Sequence, residues 1–423
     1  MAKFIINGGK PLKGEITVNG AKNSGTKAIA AAVLSAEEMV IENITLFEDV
    51  RQMLGMYRNL GGKVEEEADK KRVTLKLESL KTVEVDKDLA SKSRPSILFV
   101  GPLLSRFGEA KIVEPGGCAI GKRPIDLFID GFKAMGVTVS ENFSNSEYYF
   151  KGFPQGGTFV FPIVSVTATE TLMLASVLAK GTTYLKNAAQ EPEIPALASY
   201  LNSHGAKISG AGTPTIVIEG VDHINAGKFE VIPDRIEAGS YLALAAATHS
   251  DLLVKKCNPE HLEVPLDILK RMGVKMEIGS DTIRILPSDN LKAVDIKTHE
   301  YPGFTTDLQP QFTVLLTQCI GRALVHETIY EGRMFYIDKL NRMGADIILC
   351  DPHRAIVIGP TKLYGRELER SPDLRAGFAL VMAGLVAEGA TIIDNIYQID
   401  RGYENLEKRL RHLGAEIIRA EAG

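Results

Sequence analysis

The sequence has no tryptophan, only four cysteines, and a formal net charge of −4 over 423 residues. A charge so near neutral excludes the bulk electrostatics that draw a protein to nucleic acid or acidic lipid, so any anion site must be local. The cysteines (Cys118, Cys257, Cys319 and Cys350) lie far apart with no CxxC spacing. That excludes a disulfide framework and a cysteine-built zinc site, and it fits a reducing cytoplasm. Long hydrophobic runs are missing as well. The opening MAKFIINGGK has no apolar signal core, and the longest apolar helical stretch, AGFALVMAGLVAEG, is too short to span a bilayer. Together these absences predict a cytoplasmic protein with neither a membrane nor a nucleic-acid partner. What is present is the balance of a globular chain, 45% hydrophobic and 24% charged. Its length exceeds what one core usually serves, which predicts two domains.

A short string recurs along the chain: LGGKV at Gly61, MGVTV at Gly136, HGAKI at Gly205, MGVKM at Gly273, MGADI at Gly344 and LGAEI at Gly414, at spacings of 75, 69, 68, 71 and 70. Each copy has the same context. An apolar helix (GTKAIAAAVL, ATETLMLASVLA, AGFALVMAGLVA) is followed by a strand and a loop. An amphipathic helix such as IDLFIDGFKAMG then ends at the recurring glycine, which acts as its C-cap, and a closing strand follows. The expected architecture is α/β, with six repeated βαβα-type units of about 70 residues, three per domain.

Counting back from each glycine separates meaningful loop residues from ordinary surface. Arg123 and Arg401 each lie 13 residues before their glycine, in equivalent loops of units two and six. On different domains they can face one cleft, as a bidentate clamp for phosphate or carboxylate. A second set opens the first helix of its unit: Lys22, Arg94, Ser165, Asp307 and Arg375 stand 37 to 42 residues before their glycines. Helix N-termini present free N–H groups and a positive dipole end, so several together make an anion site. Asp307 and Asp373 also suit plain helix N-capping. In PGGCAIGKRPID, Gly116, Gly117 and Gly121 allow loop motion, and Lys122 and Arg123 favour a Cys118 thiolate. The other three cysteines sit in apolar runs, where small buried hydrophobes are expected.

GAKNS (20–24), PGGCAIGKRPID (115–126), NAAQEPEI (187–194), PDRIEAG (233–239), TTDLQPQF (305–312), PDLRAG (372–377) and DRGYE (400–404) together resemble the UDP-N-acetylglucosamine enolpyruvyl transferases. The likeness runs from end to end. It implies a two-domain inverse α/β barrel, with one domain at 22–232 and the other formed by 1–21 and 233–423. It implies transfer of the enolpyruvyl group of phosphoenolpyruvate to the 3-hydroxyl of UDP-N-acetylglucosamine, with release of phosphate, in peptidoglycan synthesis. Asp307 then matches the base and Cys118 the general acid, the residue that the phosphoenolpyruvate mimic fosfomycin alkylates. Lys22, Arg123 and Arg401 match the phosphate and carboxylate ligands. Asn23, Arg94, Arg123, Pro124, Ile125, Asp126, Leu127, Ser165, Val166, Asp307, Ile329, Arg333, Asp373 and Arg375 match substrate-binding positions. Neither metal nor organic cofactor is implied. Two positions depart: Ile163 stands where some relatives place Lys, and Thr167 where the family often has Gly. A β-branched residue cannot replace a glycine that needs positive φ, so the uridine pocket is expected to differ if the backbone there requires one. The alternatives are transfer to shikimate 3-phosphate, or a weakly catalytic paralogue that binds the UDP-sugar.

Overall fold

The structure, a computed structural model, describes residues 2–117, 120–121, 123–142, 144–369 and 371–421. Cys118 and Lys122 therefore lie outside the described residues. The chain has a mixed α/β fold and divides into two compact units. One comprises Gly20–Gly117 and Arg123–Ile232; the other comprises 2–19 and 233–421, with Ile120 and Gly121. Each unit has its own hydrophobic core.

Helices made mostly of small and apolar residues become enclosed, and some take polar groups inside with them, such as Lys27 and Glu170, which pair there. In the 20–232 unit these include Lys22–Ala31, where every residue from Ser24 to Ala31 is buried, and Val166–Ser176, where every residue from Ala168 onward is buried. In the other unit they are Arg235–Ala247, Gln309–Leu316 and Leu374–Val386. The amphipathic helices, among them Glu48–Asn59, Asp126–Ala134, Glu263–Met272 and Leu406–His412, bury only one side. No helix among the described residues is long and apolar enough to cross a membrane.

All six recurring glycines adopt positive φ, from 76° at Gly136 to 111° at Gly205. Gly273 has φ 92° and ends the helix Glu263–Met272 in the left-handed region, and a Cβ there would meet nothing within 4 Å. Backbone conformation alone therefore selects glycine at this position. Gly273→Ala is expected to cost about 1 kcal/mol of stability and Gly273→Asn less, because Asn tolerates this region better; denaturant unfolding of both variants checks the order.

The sequence pattern implies one strand after each glycine, but the structure has a hairpin. After Gly61 come Lys63–Glu67 and Arg72–Lys76, paired antiparallel. The run is split by the short turn Ala68–Lys70 and by Lys71 at φ 50°, which reverses the chain. The described residues hold six sheets, three in each unit: five of four strands and one of three. In every sheet a strand that precedes an amphipathic helix pairs antiparallel with the middle of the sheet. In the five four-stranded sheets it also pairs parallel with an edge strand. The sheet containing Glu416–Glu421 differs in origin. The second strand of its antiparallel pair is Ala2–Asn7, from the opposite end of the sequence, with Ile5 opposite Ile418.

Candidate active site

In the 20–232 unit, Lys22 is the first residue of its helix, and its ammonium donates to Asp49 Oδ2 at 3.0 Å, with Asp49 only 1% exposed. Asp49 lies in the first turn of Glu48–Asn59. It was not predicted from sequence, because nothing about an acid in a helical first turn marks it as a partner for a distant lysine. Arg94 begins the short helix Arg94–Phe99, donates to the Pro124 carbonyl at 3.2 Å and lies over the Phe128 ring. It is thereby tied to the segment Arg123–Leu127, whose Asp126 and Leu127 open the helix Asp126–Ala134. Ser165 N-caps Val166–Ser176 through the Ala168 N–H at 3.3 Å. Thr167 is within this helix and is not among the residues at positive φ, so the backbone requires no glycine there. Ile163 is 65% exposed.

The glycines of the cysteine loop have different causes. Gly117 and Gly121 take φ 130° and 134°, conformations that side chains avoid. Gly116 is instead set by close approach, since a Cβ there would lie 1.9 Å from the Ser91 carbonyl oxygen.

In the other unit a carboxylate is gripped by two arginines. Arg333 Nη1 donates to Asp307 Oδ1 at 2.7 Å and Arg375 Nε to Oδ2 at 3.1 Å. Asp307 belongs to the turn Thr306–Leu308, whose N-cap is the Thr305 hydroxyl and not the Asp307 side chain. Asp373 does cap a helix, accepting from the Arg375 and Ala376 N–H groups, and it also stands 3.4 Å from Arg333 Nε. Of its two sequence readings, cap and substrate contact, the cap is present in the structure. Arg333 and Arg375 are almost wholly buried. Burial works against their charge, but Asp373 and Asp307 beside Arg333, and Tyr403 and Asp307 beside Arg375, outweigh it and hold both guanidiniums above their ordinary range.

Asp307 itself is a quarter exposed. A carboxylate has about four acceptor sites, and the two arginines take one on each oxygen. Glu327, fully buried, braces the segment around Ile329 by accepting from the Ile329 and Tyr330 N–H groups and from Thr298 and Thr306. Arg401, 4% exposed, donates to Gln398 at 2.8 Å. Glu327 was also missed, having only an ordinary place at the end of a strand to announce it.

The three remaining cysteines divide. Burial pushes the Cys257 thiol up to about 11 and Cys319 up to about 12. Cys350 contradicts the expectation of burial and is exposed. Its strand, Asp346–Asp351, is at a sheet edge, and its register shifts between Leu349 and Asp351. An apolar run at such an edge does not ensure an inward side chain.

The model of the EPSP synthase (3-phosphoshikimate 1-carboxyvinyltransferase) family matches residues 6–410. A UDP-N-acetylglucosamine 1-carboxyvinyltransferase of Koribacter versatilis is 44% identical over 424 residues, spanning 99% of this chain and 96% of its own. One of Desulforapulum autotrophicum is also 44% identical, over the whole of both chains. Among solved structures, the enolpyruvyl transferase NikO from Streptomyces tendae has a TM-score of 0.90 at 24% identity, covering 100% of this chain and 99% of that one. An EPSP synthase from Acinetobacter baumannii has a TM-score of 0.77 at 19% identity over the full length of both. Likeness at these identities speaks for the fold.

Proposed function

Because the chain belongs to the EPSP synthase family of 1-carboxyvinyl transferases, we propose that it transfers the enolpyruvyl group of phosphoenolpyruvate to the 3-hydroxyl of UDP-N-acetylglucosamine. Phosphate is released, and the product feeds peptidoglycan synthesis. The observation that carries this reading is 44% identity, over essentially the whole of both chains, to proteins named for that activity. In the same reading the fold is a two-domain inverse α/β barrel of six repeated units, three per domain, with domains at 22–232 and at 1–21 with 233–423. The six left-handed glycines and the three sheets in each unit support it.

The roles follow from the chemistry of the groups. A sugar hydroxyl is a poor nucleophile until a base takes its proton. Asp307 is that base, held in place by Arg333 and Arg375. As the sugar oxygen bonds to C2 of phosphoenolpyruvate, C3 gains a proton from Cys118. Loss of a C3 proton and departure of phosphate then leave the enolpyruvyl ether. Lys22, Arg123 and Arg401 hold the phosphate and carboxylate. Asn23, Arg94, Pro124, Ile125, Asp126, Leu127, Ser165, Val166, Ile329, Asp373 and Arg375 line the substrates.

A phosphate-release assay decides the acceptor. Release is expected with phosphoenolpyruvate plus UDP-N-acetylglucosamine and not with shikimate 3-phosphate; the reverse result would move the chain to the sister activity, and no release with either would leave a UDP-sugar-binding paralogue. Brief alkylation at pH 8 with peptide mapping is expected to label Cys118 and the exposed Cys350, sparing Cys257 and Cys319, whose thiols burial keeps protonated. UDP-N-acetylglucosamine should change the Cys118 rate alone. An equal change at Cys350, or none at Cys118, would remove the proposed coupling of the loop to nucleotide binding.

A further inference from the structure

Lys27 and Glu170 form an ion pair at 3.3 Å inside the 20–232 unit, with side chains 6% and 0% exposed. They join the two enclosed helices Lys22–Ala31 and Val166–Ser176, each about one turn below its N-terminus. Five residues of helix place Lys27 roughly 7 Å along the axis behind Lys22. Apart from the Lys27 ammonium, neither carboxylate oxygen of Glu170 has a hydrogen-bond partner among the described residues, an unusual state for a group wholly out of water. Glu191 and Glu193 also act on Glu170 electrostatically, and both have further partners of their own. A core that needed only to pack would be served as well by apolar residues of the same size.

We infer that Lys27 is a positioning residue that places a buried positive charge beneath the anion-binding first turn carrying Lys22 and Asn23, and that Glu170 governs how much of that charge the anion feels. The inference rests on the reading of Lys22 and Asn23 as ligands of the phosphoenolpyruvate and nucleotide anions. At this depth a charge acts through little water and is weakly screened. Burial raises the Glu170 carboxyl to about 8, Lys27 opposing the rise and Glu193 and Glu191 adding to it. Below that pH the protonated carboxyl leaves the Lys27 ammonium uncancelled; above it the ionised carboxylate offsets the ammonium and anion binding weakens.

The test is steady-state phosphate release from the full-length protein between pH 6.5 and 9.5. The variants are Lys27→Met, Glu170→Gln and the double variant Lys27→Met with Glu170→Leu, which empties the site of charge without stranding one partner. The expected result is a KM for phosphoenolpyruvate about tenfold higher in Lys27→Met and in the double variant, with kcat within about twofold of the parent. Glu170→Gln should keep parental constants at pH 7 and lose the alkaline fall in kcat/KM near pH 8. A folded double variant with parental KM, or a Glu170→Gln profile that still falls near pH 8, would overturn the inference. A parent protein that releases no phosphate would instead overturn the functional reading beneath it.

Discussion

Asp307→Asn should yield a folded protein whose turnover is lower by about 100-fold or more, the range expected when a positioned acid or base is removed. Folding should survive because the turn Thr306–Leu308 is capped by Thr305, leaving the Asp307 side chain without a capping duty. Each arginine also keeps another contact in the variant: Asp373 remains beside Arg333, and the Tyr403 ring beside Arg375. What the amide cannot do is take the proton of the sugar hydroxyl. The check is kcat in the phosphate-release assay, with circular dichroism to confirm the fold. Near-parental turnover in a folded variant would reduce Asp307 to a counter-ion for two buried arginines.

The second large effect is on stability. Arg333→Met should cost about 3–5 kcal/mol, the range found when one member of a buried ion pair is removed and the other is left without compensation. Arg333 is 3% exposed at its side chain and Asp373 6%, so little water is available to replace the guanidinium. Adding Asp373→Asn should recover part of the loss, since the amide oxygen can still accept from the N–H groups of Arg375 and Ala376 while the stranded charge is gone. Denaturant unfolding of the single and double variants measures both. A loss below about 1 kcal/mol in Arg333→Met would show that the site relaxes around the missing group.

The recurring glycines and enclosed helices were legible in the sequence because each depends on local rules. A left-handed C-cap needs glycine, and a helix made mostly of small and apolar residues must be covered. Asp49, Glu327, Lys27 and Glu170 were not legible. Each is defined by a partner far away in sequence: 27 residues separate Lys22 from Asp49, and 143 separate Lys27 from Glu170. No periodicity reports such a meeting. The hairpins were hidden for the opposite reason, since a turn as short as Ala68–Lys70 hardly interrupts the alternation of the strands on either side. Cys350 shows that an apolar run and an inward-facing side chain are separate matters at a sheet edge.

The pairing of Ala2–Asn7 with Glu416–Glu421 sets a timetable for synthesis. Residues 20–232 are contiguous apart from the few that group with the other unit, and they can assemble while the rest of the chain is still being made. Both neighbours of Ala2–Asn7, the strands Ala390–Ile393 and Glu416–Glu421, are made near the other end of the sequence. At translation rates of roughly 5–20 residues per second, the strand that begins at Ala2 waits on the order of 20–80 s for its partner. Throughout that interval AKFIIN is an unmatched strand with apolar side chains at Phe4, Ile5 and Ile6, the kind of segment that invites pairing between nascent chains.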